Sequence, residues 1–198
     1  MAKIFKIGFK RKRTHVTNYK KRLSLVKSNL KRVVIRRSNK SIISQIVKYS
    51  EAGDEVLVTA YSKELSKYGW PARSNRMTAF LTGLLLAKKA ASKKLENDEY
   101  ILDIGLSASV KNSTPFIFAQ GCIEGGLKLR SGLSMDKSLF EKQSTYVTKL
   151  KEDKEVYEKT YSAYLKSKIT PEELSSLFEK VKTKILNEWL IGKERKRN

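Results

Sequence analysis

Lysine and arginine are the residues in this chain whose type and spacing promise chemistry, and that chemistry is the binding of phosphate. Fifteen of them fall within residues 1–40, where there is no Asp or Glu, and the first carboxylate is Glu51. The segment therefore supplies 15 of a formal net charge of +22. Ordinary surfaces interleave both signs. A block of one sign repels itself unless it lies against a polyanion, and counterion release from a nucleic-acid backbone supplies that driving force. Lys10, Arg11, Lys12 and Arg13 are consecutive, and Tyr19 adds a stacking ring beside Lys21 and Arg22.

Two further clusters fit the same chemistry. Arg36, Arg37, Ser38, Asn39 and Lys40 fall where a turn is expected, so they can clamp phosphates or simply serve turn geometry. Trp70, Arg73, Asn75 and Arg76 put an aromatic beside arginines at a helix start. That arrangement suits anion binding and base stacking, and equally suits a tryptophan packed into a core.

Catalysis finds little support. Asp103-Ile104-Gly105 sets an acid at a strand end, as metal-dependent nucleases do, but Asp54, Glu55, Glu64, Asp98, Glu99 and Glu124 show no matching spacing. His15 stands alone among cations, with nothing to orient it as a base. Cys122 is the only cysteine, which rules out an intrachain disulfide and a Cys-based zinc site, and it lies among apolar neighbours. No catalytic residue, metal site or cofactor is expected. The alternatives are an RNA-processing nuclease or modifying enzyme using Asp103, and a generic cationic nucleic-acid-binding module. The longest mainly apolar stretch, around Phe80–Ala87, is far short of the ~20 residues that cross a bilayer, so the expectation is a soluble, cytoplasmic protein without a membrane or small-molecule partner.

The elements that must position these residues follow from periodicity. Residues 1–16 read as an arm that orders on binding, and Thr17 as the cap of a short helix with Tyr19, Leu23, Val26 and Leu30 on one face. Strands are expected over Arg32–Ser38, Ser41–Tyr49 and Glu55–Tyr61, joined by short turns as a meander. Ser74 or Asn75 caps a helix carrying Met77, Phe80, Leu81, Leu84, Leu85 and Ala91. Tyr100–Leu106 is a further strand, and Pro115 opens a helix interrupted by Gly121. Beyond residue 130, Ser138–Lys166 reads as helical, and Thr170-Pro171-Glu172-Glu173 opens a last helix with Leu174, Phe178, Val181, Ile185 and Trp189 on its face. The fold class is α/β, of α+β character. A three-stranded meander plus a further strand forms one mixed sheet covered by helices, with a basic arm at 1–30, a core at 31–130 and a helical extension at 131–198.

Lys31–Tyr49 (KRVVIRRSNKSIISQIVKY), Gly53-Asp54, Lys63–Trp70 (KELSKYGW), Ala79–Gly83 with Leu84–Ala87, and Ile101–Leu106 (ILDIGL) closely resemble the archaeal-type large-subunit ribosomal protein eighteen family, which includes eukaryotic ribosomal protein five. The resemblance covers about residues 8–130. It implies a structural constituent of the large ribosomal subunit that binds 5S rRNA and attaches it to the large rRNA in the central protuberance, beside neighbouring ribosomal proteins. The RNA contacts it implies are Lys10–Arg13, Tyr19, Lys21, Arg22, Arg36, Ser38, Asn39, Lys40, Trp70 and Asn75; Arg73 joins them from its place beside Trp70. Ser41 stands where many relatives place a histidine, and the region past residue 130 matches least well.

Overall fold

The computed structural model describes residues 7–71, 73–130, 147, 154–166 and 169–194. Of the expected helical stretch Ser138–Lys166, residues 138–153 lie outside them except for Val147, as do Lys3, Lys6 and residues 195–197; the Trp189 side chain is not described either.

Seven-residue strands β1 (Lys31–Arg37), β2 (Ile42–Lys48) and β3 (Glu55–Tyr61) form the antiparallel meander that their β-branched runs predict. The chain then passes through a 3-10 helix, Ser62–Tyr68. Tyr61 N–H donates to the Glu64 carboxylate at 3.1 Å at its start, and Gly69 at φ +80° ends it. Periodicity alone assigns no element to these residues.

Two further strands, β4 (Glu99–Asp103) and β5 (Lys128–Arg130), extend the sheet in the order β3-β2-β1-β4-β5. β4 runs parallel to β1, with Val34 opposite Asp103, and β5 runs parallel to β4. The sheet is thus mixed, as expected, but has five strands rather than four. The three residues of β5 are too few to show an alternating pattern.

The helices are α1 (Lys10–Arg13), α2 (Tyr19–Lys27), α3 (Arg76–Ser92), α4 (Thr114–Glu124), α5 (Lys154–Lys166) and α6 (Leu174–Glu194). Asn18, one residue after the expected Thr17, caps α2 by accepting from Lys21 N–H at 3.1 Å. Tyr19 and Leu23 face solvent rather than forming the predicted stripe, while Leu25 and Val26 are half-buried. A nine-residue helix with one apolar edge leans on its neighbours instead of building a core. The arm, read as unstructured, forms one helical turn in α1.

Strand alternation divides the sheet into two faces. Val33, Ile35, Ile42, Ile46, Val58 and Ala60 pack against α3, of which twelve of seventeen residues are buried, so its apolar surface extends well beyond the predicted stripe. α3 lies between the sheet, α4 and α6, and Phe178 of α6 meets Phe80 with ring centroids 5.5 Å apart. The C-terminal helix is therefore part of the same hydrophobic core as residues 31–130. Arg32, Val34 and Arg36 alternate onto the opposite face.

Candidate nucleic-acid interface

A line of alternating charges crosses that second face. Arg22 on α2 donates to Asp54 Oδ2 at 2.8 Å, and the buried Arg32 brings Nη2 within 2.6 Å of Asp54 Oδ1. Arg32 Nη1 reaches Asp103 Oδ2 at 3.4 Å, and Arg36 Nη2 reaches Asp103 Oδ1 at 3.1 Å. Gly105 N–H also donates to Asp103 Oδ1, at 2.9 Å. The Arg32–Asp54 approach is an ion pair off the hydrogen-bonding line, leaving Arg32 Nε and Nη2 without a hydrogen-bond partner. The consequence is electrostatic: Asp54 and Asp103 both turn onto the buried Arg32.

A groove of about 710 Å³ opens between the arm with α2 and the carboxyl ends of β1 and β4. Arg11, Lys21, Arg22, Arg36 and Arg37 line it against a single carboxylate, Asp103, which is already paired. Val16, Leu25, Leu102, Ile104 and Leu106 supply apolar wall. The place has a topological reason. From the β1–β4 junction the chain winds outward in both directions, and such a switch point leaves a crevice at the strands' carboxyl ends.

The groove gathers five of the residues singled out in the sequence: Arg11, Lys21, Arg22, Arg36 and Arg37. Lys10, Lys12 and Arg13 are exposed on α1 beside it. Tyr19 is 38 % exposed at the start of α2, with its ring 6.0 Å from that of Phe9, itself exposed. Ser38 closes the β1–β2 turn: its Oγ accepts from Ser41 N–H at 3.0 Å, and Ser41 hydrogen-bonds the Tyr61 hydroxyl in turn. Asn39 and Lys40 stand exposed at the tip of that turn.

The third predicted cluster is structural. Trp70 is 1 % exposed, donates from Nε1 to Thr78 Oγ1 at 2.8 Å and meets Phe178 edge-on, so its ring offers no face to a base. This corrects the stacking role expected of it; an indole with a buried acceptor within reach belongs in a core. Asn75 is the α3 cap, accepting from Thr78 N–H at 2.7 Å and donating to the Tyr164 hydroxyl at 2.6 Å. Arg73 is half-buried near the same hydroxyl. Burial pushes Tyr164 up from its ordinary value, with Arg73 and Asn75 pulling the other way.

Phe9 escaped the sequence reading, which names Arg37 only as a member of the turn cluster. Arg37 donates from Nε to Ser74 Oγ at 3.1 Å while also lining the groove. Alternation sends Arg36 and Arg37 to opposite faces, and both reach the groove only because β1 ends there. Phe9 has no periodic link to Tyr19. The motif Asp103-Ile104-Gly105 does not assemble a hydrolytic centre: its carboxylate is held by Arg32, Arg36 and Gly105. Among the described residues no three His, Cys, Asp or Glu side chains come together, and no helix is long and apolar enough to cross a membrane.

Comparison with known proteins agrees with this geometry. Residues 3–101 match the sequence profile of the family described as ribosomal large subunit proteins 60S L5, and 50S L18. The large ribosomal subunit protein uL18 of Methanococcus maripaludis is 36% identical over 191 residues, covering 92% of this chain and 96% of the relative. Likeness at that coverage extends well past residue 130, where the motifs alone end. The chain belongs to the family of ribosomal large subunit proteins 60S L5 and 50S L18.

Proposed function

We propose that this protein is a structural constituent of the large ribosomal subunit which binds 5S rRNA and attaches it to the large rRNA in the central protuberance, among neighbouring ribosomal proteins. It performs no catalysis and needs no cofactor. The supporting observation is the groove at the ends of β1 and β4, where five cations converge with one carboxylate that is already paired. A folded RNA presents the phosphate density such a surface requires. The exposed cations of α1 and the Asn39-Lys40 tip extend the contact beyond the groove.

Competition tests this reading against a generic cationic module. Labelled 5S rRNA bound to the protein is challenged with unlabelled 5S rRNA, tRNA and duplex DNA at physiological salt. Displacement by 5S rRNA at concentrations well below the other two supports the proposal. Equal displacement by all three rejects it in favour of non-specific binding.

A further inference from the structure

We propose that the groove at the carboxyl ends of β1 and β4 takes one unpaired base of the RNA, stacked on the guanidinium plane of Arg36. This rests on the RNA-binding reading above and deepens it: Arg36 acts as a fixed stacking surface rather than as a phosphate clamp.

The Arg36 side chain is immobilised on its inner side. Nη1 donates to Ile35 O at 2.7 Å and to Asp103 O at 3.0 Å, and Nη2 donates to Asp103 Oδ1 at 3.1 Å. Gly105, at φ +60°, lies beneath it, and a Cβ there would sit 3.0 Å from both Cζ and Nη1 and 3.5 Å from Nε. An approach along the edge of a guanidinium leaves the central carbon farther away than the nitrogens. Equal distances to Cζ and Nη1 mean that Gly105 packs against the face. One face of the plane is thus covered, while half of the side-chain surface remains exposed and lines the groove.

Both N–H groups of Nη1 and one of Nη2 are turned inward, so only Nε–H and the second N–H of Nη2 remain for a phosphate. What it presents is a flat, charged, pre-ordered surface, and RNA-binding proteins stack splayed-out bases on arginine planes. The surroundings fit such an occupant. Ile104 and Leu106 offer apolar contact to a base, while Arg11, Lys21 and Arg37 stand ready for its phosphates. The volume of about 710 Å³ exceeds what one nucleotide needs but falls within the range of sites that enclose small molecules. A duplex offers its bases only edge-on and would leave the apolar wall uncovered.

Arg36→Lys separates the two roles, because lysine keeps the charge and loses the plane. Affinity for 5S rRNA is measured over a salt series for wild type, Arg36→Lys and Arg36→Ala, with thermal melts confirming that each is folded. The expected result is that Arg36→Lys loses about ten-fold, nearly as much as Arg36→Ala, in line with the loss of one base stack. Its salt slope should match wild type, because the charge is unchanged. Wild-type affinity in Arg36→Lys would overturn the proposal and return Arg36 to phosphate binding. Failure of wild type to bind 5S rRNA would reject the underlying function along with it, so the two failures are distinguishable. If the Arg36 variants do not fold, a photo-crosslinker settles the matter: Leu106→p-benzoylphenylalanine changes a side chain that is 60% exposed. Crosslinks to an unpaired nucleotide of 5S rRNA support the proposal, and crosslinks confined to paired nucleotides overturn it.

Discussion

Asp103 holds Arg32 and Arg36 at once, at 3.4 Å and 3.1 Å, joining the buried and the exposed ends of β1 through one carboxylate. The Arg32 side chain is 3% exposed and that of Asp103 9%, so the charges are compensated by each other and not by water. Asp103→Ala removes that compensation while Asp54 still serves Arg32. We expect a loss of about 3 kcal/mol in chemical denaturation, the low end for breaking a buried pair. A nuclease reading predicts instead that this variant folds normally and loses turnover on RNA.

Gly83 on α3 and Gly121 on α4 let two helix backbones touch. A Cβ on Gly83 would lie 2.3 Å from Phe118 O, and one on Gly121 would lie 2.2 Å from Phe80 O. Neither obstacle is a flexible side chain. Gly83→Ala or Gly121→Ala should cost about 3 kcal/mol, the upper range for overpacking, visible as a lowered Tm. An unchanged melting curve would show that the helices separate freely.

How much of this was legible in the sequence depended on the length of each signal. β1 to β3 carry seven-residue β-branched runs and appear within a residue of where they were expected. The basic segment identified its polyanionic partner because charge needs no fold to be counted. The groove itself was not legible. It depends on β4 inserting beside β1 rather than beside β3, a tertiary choice that places Gly105 under Arg36. Trp70 misled for a related reason: only packing against Phe178, more than a hundred residues away, decides that its ring is buried.

Lys89 and Lys93 guard the open edge of the sheet. Lys89 on α3 and Lys93 just past its end donate to the carbonyls of Thr59 and Leu57 on β3, the edge strand. Covered carbonyls cannot template another strand. Replacing both lysines with methionine should increase aggregation on concentration, followed by light scattering, with little loss of helix in circular dichroism. Unchanged solubility would remove the guarding role.

Glu188 fastens α6 to α3 through Lys88 and the Tyr68 hydroxyl. The hydrogen bond from Lys88 leads in holding the Glu188 carboxyl below its ordinary value, against some desolvation. A carboxylate depressed on folding stabilises above its unfolded pKa, and that contribution disappears as pH falls through the folded value. The Glu188 side chain is 54% exposed, so the effect should stay below about 1 kcal/mol. Stability below pH 4.5 should therefore fall less steeply in Glu188→Gln than in wild type. Identical acid-side slopes in a pH-stability series would contradict this.

The salt dependence of 5S rRNA binding reports most directly on the central claim, that cations gathered at the ends of β1 and β4 neutralise RNA phosphates. Affinity is followed from low to physiological salt for wild type and for a variant with Arg11, Lys21 and Arg37 changed to alanine. The account predicts a steep wild-type slope that becomes shallower by about two to three units in the variant, roughly one unit for each lost phosphate contact. A variant slope equal to that of wild type would contradict it.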